Sequence, residues 1–185
     1  GATLASLFFF LPLYQQDVLG MGALSAGLSQ IPIAVMIIVG SATAPLLAAR
    51  IGLHRALPLS LAVMLAGITW LALNPAAAFT WQHAGAFLLT GTGLGLGAVG
   101  AMAMAVRDSG DGEGGLLSGL VNAGQQLGGA VGLAAIAGLA IGSAGAGTDM
   151  SFTAAFLGGA ALAAVAVVLS LALAVTTHGT TRPAP

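Results

Sequence analysis

The chain is a string of six apolar segments, and no formal charge falls inside any of them. They run from about Ala2 to Tyr14, Ala23 to Ala48, Ala56 to Leu73, Ala84 to Val106, Leu116 to Gly142 and Ser151 to Val175. A helix rising 1.5 Å per residue needs about 20 mostly apolar residues to cross a hydrocarbon layer roughly 30 Å thick. Five segments meet that need. The first, at about 13 residues, is too short to span and reads as a helix truncated at the chain start. Only 5% of the 185 residues are charged and 58% are hydrophobic, where a soluble domain carries roughly a quarter charged residues. Such a chain cannot cover itself with polar surface, and disorder needs the opposite composition. The expected fold class is therefore an all-α integral membrane protein. Residues 1–176 form a six-helix transmembrane bundle whose first partner is the lipid bilayer, and residues 177–185 form a tail.

The breaks between segments are short and polar. They are Gln15-Gln16-Asp17, Arg50 to Arg55, Asn74 to His83, Arg107 to Glu113 and Ser143 to Asp149. No loop has room for a soluble domain. Alternation of the spans places Arg50, Arg55, Arg107 and Arg182 on one side, and Asp17 and Asp149 on the other. Arginine excess marks the cytoplasmic side, so the second loop, the fourth loop and the C-terminus are expected there. Trp70 and Trp81 fall near span ends, the usual place for interfacial tryptophan. Heavy use of Ala, Gly, Leu and Arg without lysine hints at a GC-rich bacterial source, hence a bacterial plasma membrane.

Several functions are excluded by what the residues lack. There is no basic stripe for nucleic acid. There is no cysteine for disulfides or clusters. His54, His83 and His178 lie far apart, and the five carboxylates sit in loops or at span edges. No metal site, cofactor or catalytic constellation is expected, and the chain does not read as an enzyme. Gly95 to Gly100 matches G-x-G-x-x-G, but inside an apolar span with no preceding strand, so a dinucleotide site is dismissed.

What remains within the membrane is uncharged polar chemistry. Asn122, Gln125 and Gln126 lie roughly 9–15 Å into the fifth segment and fall near one helix face. A carboxamide facing lipid leaves donors and acceptors unpaired, so these residues either line a cavity or join helices by hydrogen bonds. Gln30, beside Ser29 and Pro32, stands about a third of the way into the second segment, where proline favours a kink. It joins the three amides as a candidate for the substrate cavity. Glycines recur at four-residue spacing, among them Gly91/Gly95 and Gly124/Gly128/Gly132. That spacing puts small residues on one face and lets backbones approach, so these are candidate helix-packing sites.

These residues resemble a known family. Tyr14 to Gly20, Ala26-Gly27-Leu28 and Pro32 resemble the first segment of the C-terminal bundle of major facilitator superfamily transporters, and the entry to the next. Leu47-Ala48-Ala49-Arg50-Ile51-Gly52-Leu53-His54-Arg55 resembles the weaker second copy of that superfamily's cytoplasmic loop motif, with Ala49 where aspartate is usual. Gly114 to Asn122, then Gln126 to Gly129 and Gly132, resemble the penultimate span of the 14-span drug:proton antiporters, the EmrB/QacA-like group. That group often has arginine where this chain has Gln125.

The resemblance implies twelve core helices in two bundles that rock about a central site, this chain supplying the second bundle. It implies proton-coupled efflux of drugs, antibiotics or amphipathic metabolites, with Arg50, Gly52 and Arg55 in a gating loop. The antiporter motif and the embedded acidic residue of the family's first half have no counterpart here, so the proton is expected to move through a missing N-terminal half. Two rivals stand beside this reading: a superfamily transporter of another small metabolite, and a six-span membrane scaffold with no transport of its own.

Overall fold

The structure is a computed structural model, and it describes residues 1–74, 81–107, 110, 113–144 and 150–178. Among them there are seven α-helices and no strand: α1 (Ala2–Leu13), α2 (Ala23–Ser29), α3 (Ile31–Ile51), α4 (Leu53–Leu73), α5 (Trp81–Val106), α6 (Gly114–Gly142) and α7 (Phe152–His178). The second apolar segment is thus two helices broken at Gln30. Pro32 lies in the first turn of α3, where its missing N–H is no loss. Taken together, α2 and α3 make one span, and five spans in all are long and apolar enough to cross a membrane. α1, at 12 residues, is not. The all-α membrane bundle expected from the apolar segments is the fold observed.

Two turns are fixed by glycine. α1 ends in a π-helical turn over Tyr14–Val18, and Gly20 then turns the chain with φ 63°. α3 passes into α4 through Gly52 alone, at φ 82° and ψ 147°. A side chain at that combination would meet its own backbone, so only glycine takes it without strain.

α5 is the centre of the packing, with α3 on one side and α4 on another. α7 packs against α4, while α1 lies against α6 and α7. The glycines of α5 make its two close approaches. A Cβ on Gly91 would sit 2.5 Å from the Ile33 carbonyl oxygen, and one on Gly95 would meet the backbones of Ile37 and Ser41. Gly93, two residues on, faces the backbone of Met64 in α4 instead. The main apolar core gathers toward one end of the bundle. It includes Phe10, Tyr14, Ile33, Leu71, Phe87, Ile136, Ala140 and Phe156. Large apolar side chains such as Ile38, Leu116, Val131 and Val175 point outward, as they must where the surroundings are lipid.

α1 covers only part of α6. Gly1 abuts Gln125, and a Cβ on Gly129 would meet that of Ala5 at 3.4 Å. Asn122 to Leu127, ahead of that contact, are all exposed. The expected boundary between bundle and tail at residue 176 falls within α7, which continues to His178. Arg182 and the rest of the tail lie outside the described residues, as do Asp108, Asp111, Asp149 and the side chains of Trp81 and His178.

Candidate functional site

The four amides singled out as cavity lining do not meet. Gln30 stands at the break between α2 and α3, where its Nε2 lies 3.4 Å from Gln15 Oε1 and 3.4 Å from the Ala26 carbonyl. Gln15, on the π-helical turn, is almost completely buried and donates from Nε2 to Ser29 Oγ at 2.8 Å. Ser29 Oγ in turn donates to the Ala26 carbonyl at 2.7 Å. Gln30 therefore belongs to a polar latch that ties the end of α1 to the α2–α3 break. The reason it departs from the expected cavity is the break itself, which turns the Gln30 amide toward Gln15.

In the sequence Gln15 reads as a segment boundary and as part of the family motif, with nothing that pairs it with Gln30. Its signal was a pair of amides placed between an apolar helix and a glycine turn, which suits a side chain folded back onto the helix end. Beside the latch, Tyr14 is buried with its ring 5.6 Å from both Phe152 and Phe156 and 6.4 Å from His83. His83 is itself buried at the start of α5.

The other three amides lie on α6. Gln125 borders a cavity of about 210 Å³ enclosed by α3, α4, α5 and α7 at the start of α1. Its other lining is mainly apolar, including Ile37, Met64, Leu94 and Ala166, with Thr3 as the second polar side chain. Asn122 and Gln126 do not line that cavity; both are exposed on the uncovered stretch of α6.

The glycine rows divide in the same way. Gly91 and Gly95 lie against α3, and Gly128 and Gly132 face α1. Gly124 has nothing within 4 Å of where a Cβ would be, so the packing expected there is not made within this chain. Gly115 and Gly119 are equally open. Buried hydroxyls mostly bond their own helix. Ser60 donates to the Ala56 carbonyl at 2.7 Å and Ser170 to the Val167 carbonyl at 2.7 Å, which leaves them little capacity for a ligand.

The Arg50–Arg55 turn is at the opposite end from the latch. Arg50 and Arg55 are exposed and flank Gly52. Arg107, at the end of α5, donates from its guanidinium to His54 Nε2. The turn thus gathers basic groups from α3, α4 and α5 at one end of the bundle. No group of three or more potential metal ligands occurs among the described residues.

Comparison with known proteins agrees with this architecture. The family model of the Major Facilitator Superfamily matches residues 1–133. The cephamycin export protein CmcT of Amycolatopsis lactamdurans is 34% identical over 138 residues, which cover 74% of this chain and 28% of that protein. The chain therefore spans well under half the length of that relative. No solved structure matches it. A bundle of apolar helices, a basic turn around Gly52 and a family match over more than two thirds of the residues lead to one conclusion: the chain belongs to the Major Facilitator Superfamily of membrane transporters.

Proposed function

We propose that this chain is the carboxy-terminal six-helix bundle of a proton-coupled exporter of the 14-span drug:proton antiporter group, carrying drugs, antibiotics or amphipathic metabolites outward. One observation supports the reading most. Asn122, Gln125 and Gln126 are exposed midway along α6, in a helix long enough to cross a bilayer. Carboxamides at that depth cannot be left in hydrocarbon, because each unpaired group there costs several kcal/mol. This face of α6 therefore meets protein or water, as the wall of a substrate path between two bundles does. Its polar groups are neutral and its neighbours apolar, which suits an amphipathic solute better than an ionic one. The relative named as a cephamycin export protein is consistent with that class of cargo.

On this reading Gly115 and Gly119 give the same face a smooth surface against which a second bundle moves, Gly124 lies open on the row of Gly128 and Gly132, and Gly91, Gly95, Gly128 and Gly132 hold the first bundle together. Arg50, Gly52 and Arg55 form the cytoplasmic gate, with Arg50 pairing with a carboxylate across the bundle interface. Gln30 serves the latch rather than the cavity. The proton travels through the other bundle, since no carboxylate lies within the described spans. Helices α1 to α7 form the membrane unit in a bacterial plasma membrane, with the tail in the cytoplasm.

The test is Gln126→Ala in the whole transporter. Resistance profiles against a panel of compounds should change while protein abundance stays near wild type. An unchanged profile with lowered abundance would mean that the amides only join helices.

A further inference from the structure

At the end of the bundle that carries the arginines, α4 and α7 leave a groove of about 340 Å³ between them. Pro58 and Ala62 line it from α4, and Val167, Leu171 and Ala174 from α7. On each helix these positions recur every three to four residues, so α4 contributes an apolar stripe roughly 6 Å long and α7 one roughly 10 Å long. The groove opens away from the bundle: Leu59, Val168 and Leu171 on its borders are each about half exposed or more. In a membrane protein such a surface is bathed by acyl chains.

The mouth of the groove is basic. His54 and Arg55 stand there, and no acidic residue among the described ones lines it. The Arg55 side chain is exposed, and among the described residues it makes no hydrogen bond or ion pair. Arg107 brings a second guanidinium to the same end of α4 through its bond to His54. A guanidinium at the membrane surface without a protein anion is a strong donor for phosphate, which its planar fork fits. Basic pockets between spanning helices select anionic headgroups for this reason.

We propose that this groove holds one anionic phospholipid of the leaflet on that side, with its phosphodiester at Arg55 and an acyl chain along the stripe between α4 and α7. Charge complementarity chooses the occupant. Free phosphate would satisfy Arg55 and leave the apolar stripe empty. A zwitterionic lipid would fill the stripe but bring its own cation to the arginine. The site rests on the chain's being a membrane bundle, not on what the transporter carries.

The experiment uses the full-length transporter freed of other cysteines, with a fluorophore attached at Leu171→Cys, in phosphatidylcholine vesicles. Small amounts of nitroxide-labelled phosphatidylglycerol or nitroxide-labelled phosphatidylcholine are then added as quenchers. Labelled phosphatidylglycerol should quench at roughly fivefold lower mole fraction, as expected for one arginine–headgroup contact. Arg55→Gln should abolish the preference and leave quenching by labelled phosphatidylcholine intact. A fluorophore at Leu169→Cys, at similar depth but outside the groove, should show no preference. Inorganic phosphate should not disturb the selectivity. Equal quenching by the two lipids at Leu171→Cys overturns the proposal, even if Arg55→Gln fails to fold. So does a preference that survives Arg55→Gln, or one removed by inorganic phosphate. Export measured in the same vesicles separates the two readings, because lipid selectivity without export leaves this site standing and removes only the proposed function.

Discussion

At Gly95 the chain has no room for one more carbon. A Cβ there would press on the carbonyl of Ile37 and the amide of Ser41, both backbone atoms that cannot swing aside. Gly95→Val should therefore force α5 away from α3 and cost about 1–3 kcal/mol, as overpacked cores do. In the purified transporter this appears as a melting temperature lower by several degrees. Gly138→Ala is the matched control: nothing lies within 4 Å of that position. It should leave the melting temperature unchanged or slightly raised, since alanine is the better helix former. Both glycines belong to four-residue rows in the sequence, Gly91/Gly95 and Gly138/Gly142. The spacing is the same and only one row is packed. Which face a row serves depends on the neighbouring helix, and that is not written in the row. The same holds for Gln30. Its proline neighbour marked the break, but its partner Gln15 lies across a turn, and a hydrogen bond between two loop-end amides leaves no periodic signal.

Among the elements, the α3–α4 turn is where sequence and structure agree most closely. Arg50 to Arg55 read as a tight polar break, and the observed turn is a single residue, Gly52, at φ 82°. That conformation is nearly closed to other residues, so Gly52→Ala should cost on the order of 1–3 kcal/mol. The strain falls on the angle between two spans. Export should drop more than abundance, measured as transport rate per molecule in vesicles. A variant with full rate per molecule would remove the turn from the gating scheme. The spans were legible because bilayer thickness sets a length that composition either meets or misses. The π-helical turn at Tyr14–Val18 was not, because Tyr-Gln-Gln-Asp looks the same whether the helix stops there or widens by one residue. The α6 amides were visible as polar residues at mid-depth. Their surroundings were not, because a neighbouring helix leaves no mark in the α6 sequence itself.

For the whole molecule, the proposed orientation puts the arginine-bearing end in the cytoplasm. Single cysteines at Gly110, beside the α5–α6 break, and at Ser143, just past α6, sit at opposite ends of that helix. In intact cells an impermeant thiol reagent should label Ser143→Cys and spare Gly110→Cys. The reverse pattern would invert the topology and move the basic groove to the outer leaflet. The helices also divide by when their partners exist. α3, α4 and α5 follow one another in the chain and pack on one another. α1 packs instead on α6 and α7, and its Tyr14 ring rests on Phe152 and Phe156. At about 5–20 residues per second of synthesis, α1 waits on the order of ten seconds in the bilayer before those rings arrive. Its own polar groups are served locally, as when Ser6 Oγ donates to the Ala2 carbonyl at 2.8 Å. Within these residues, then, α3, α4 and α5 find their partners early, and α1 gains its own only when α6 and α7 emerge.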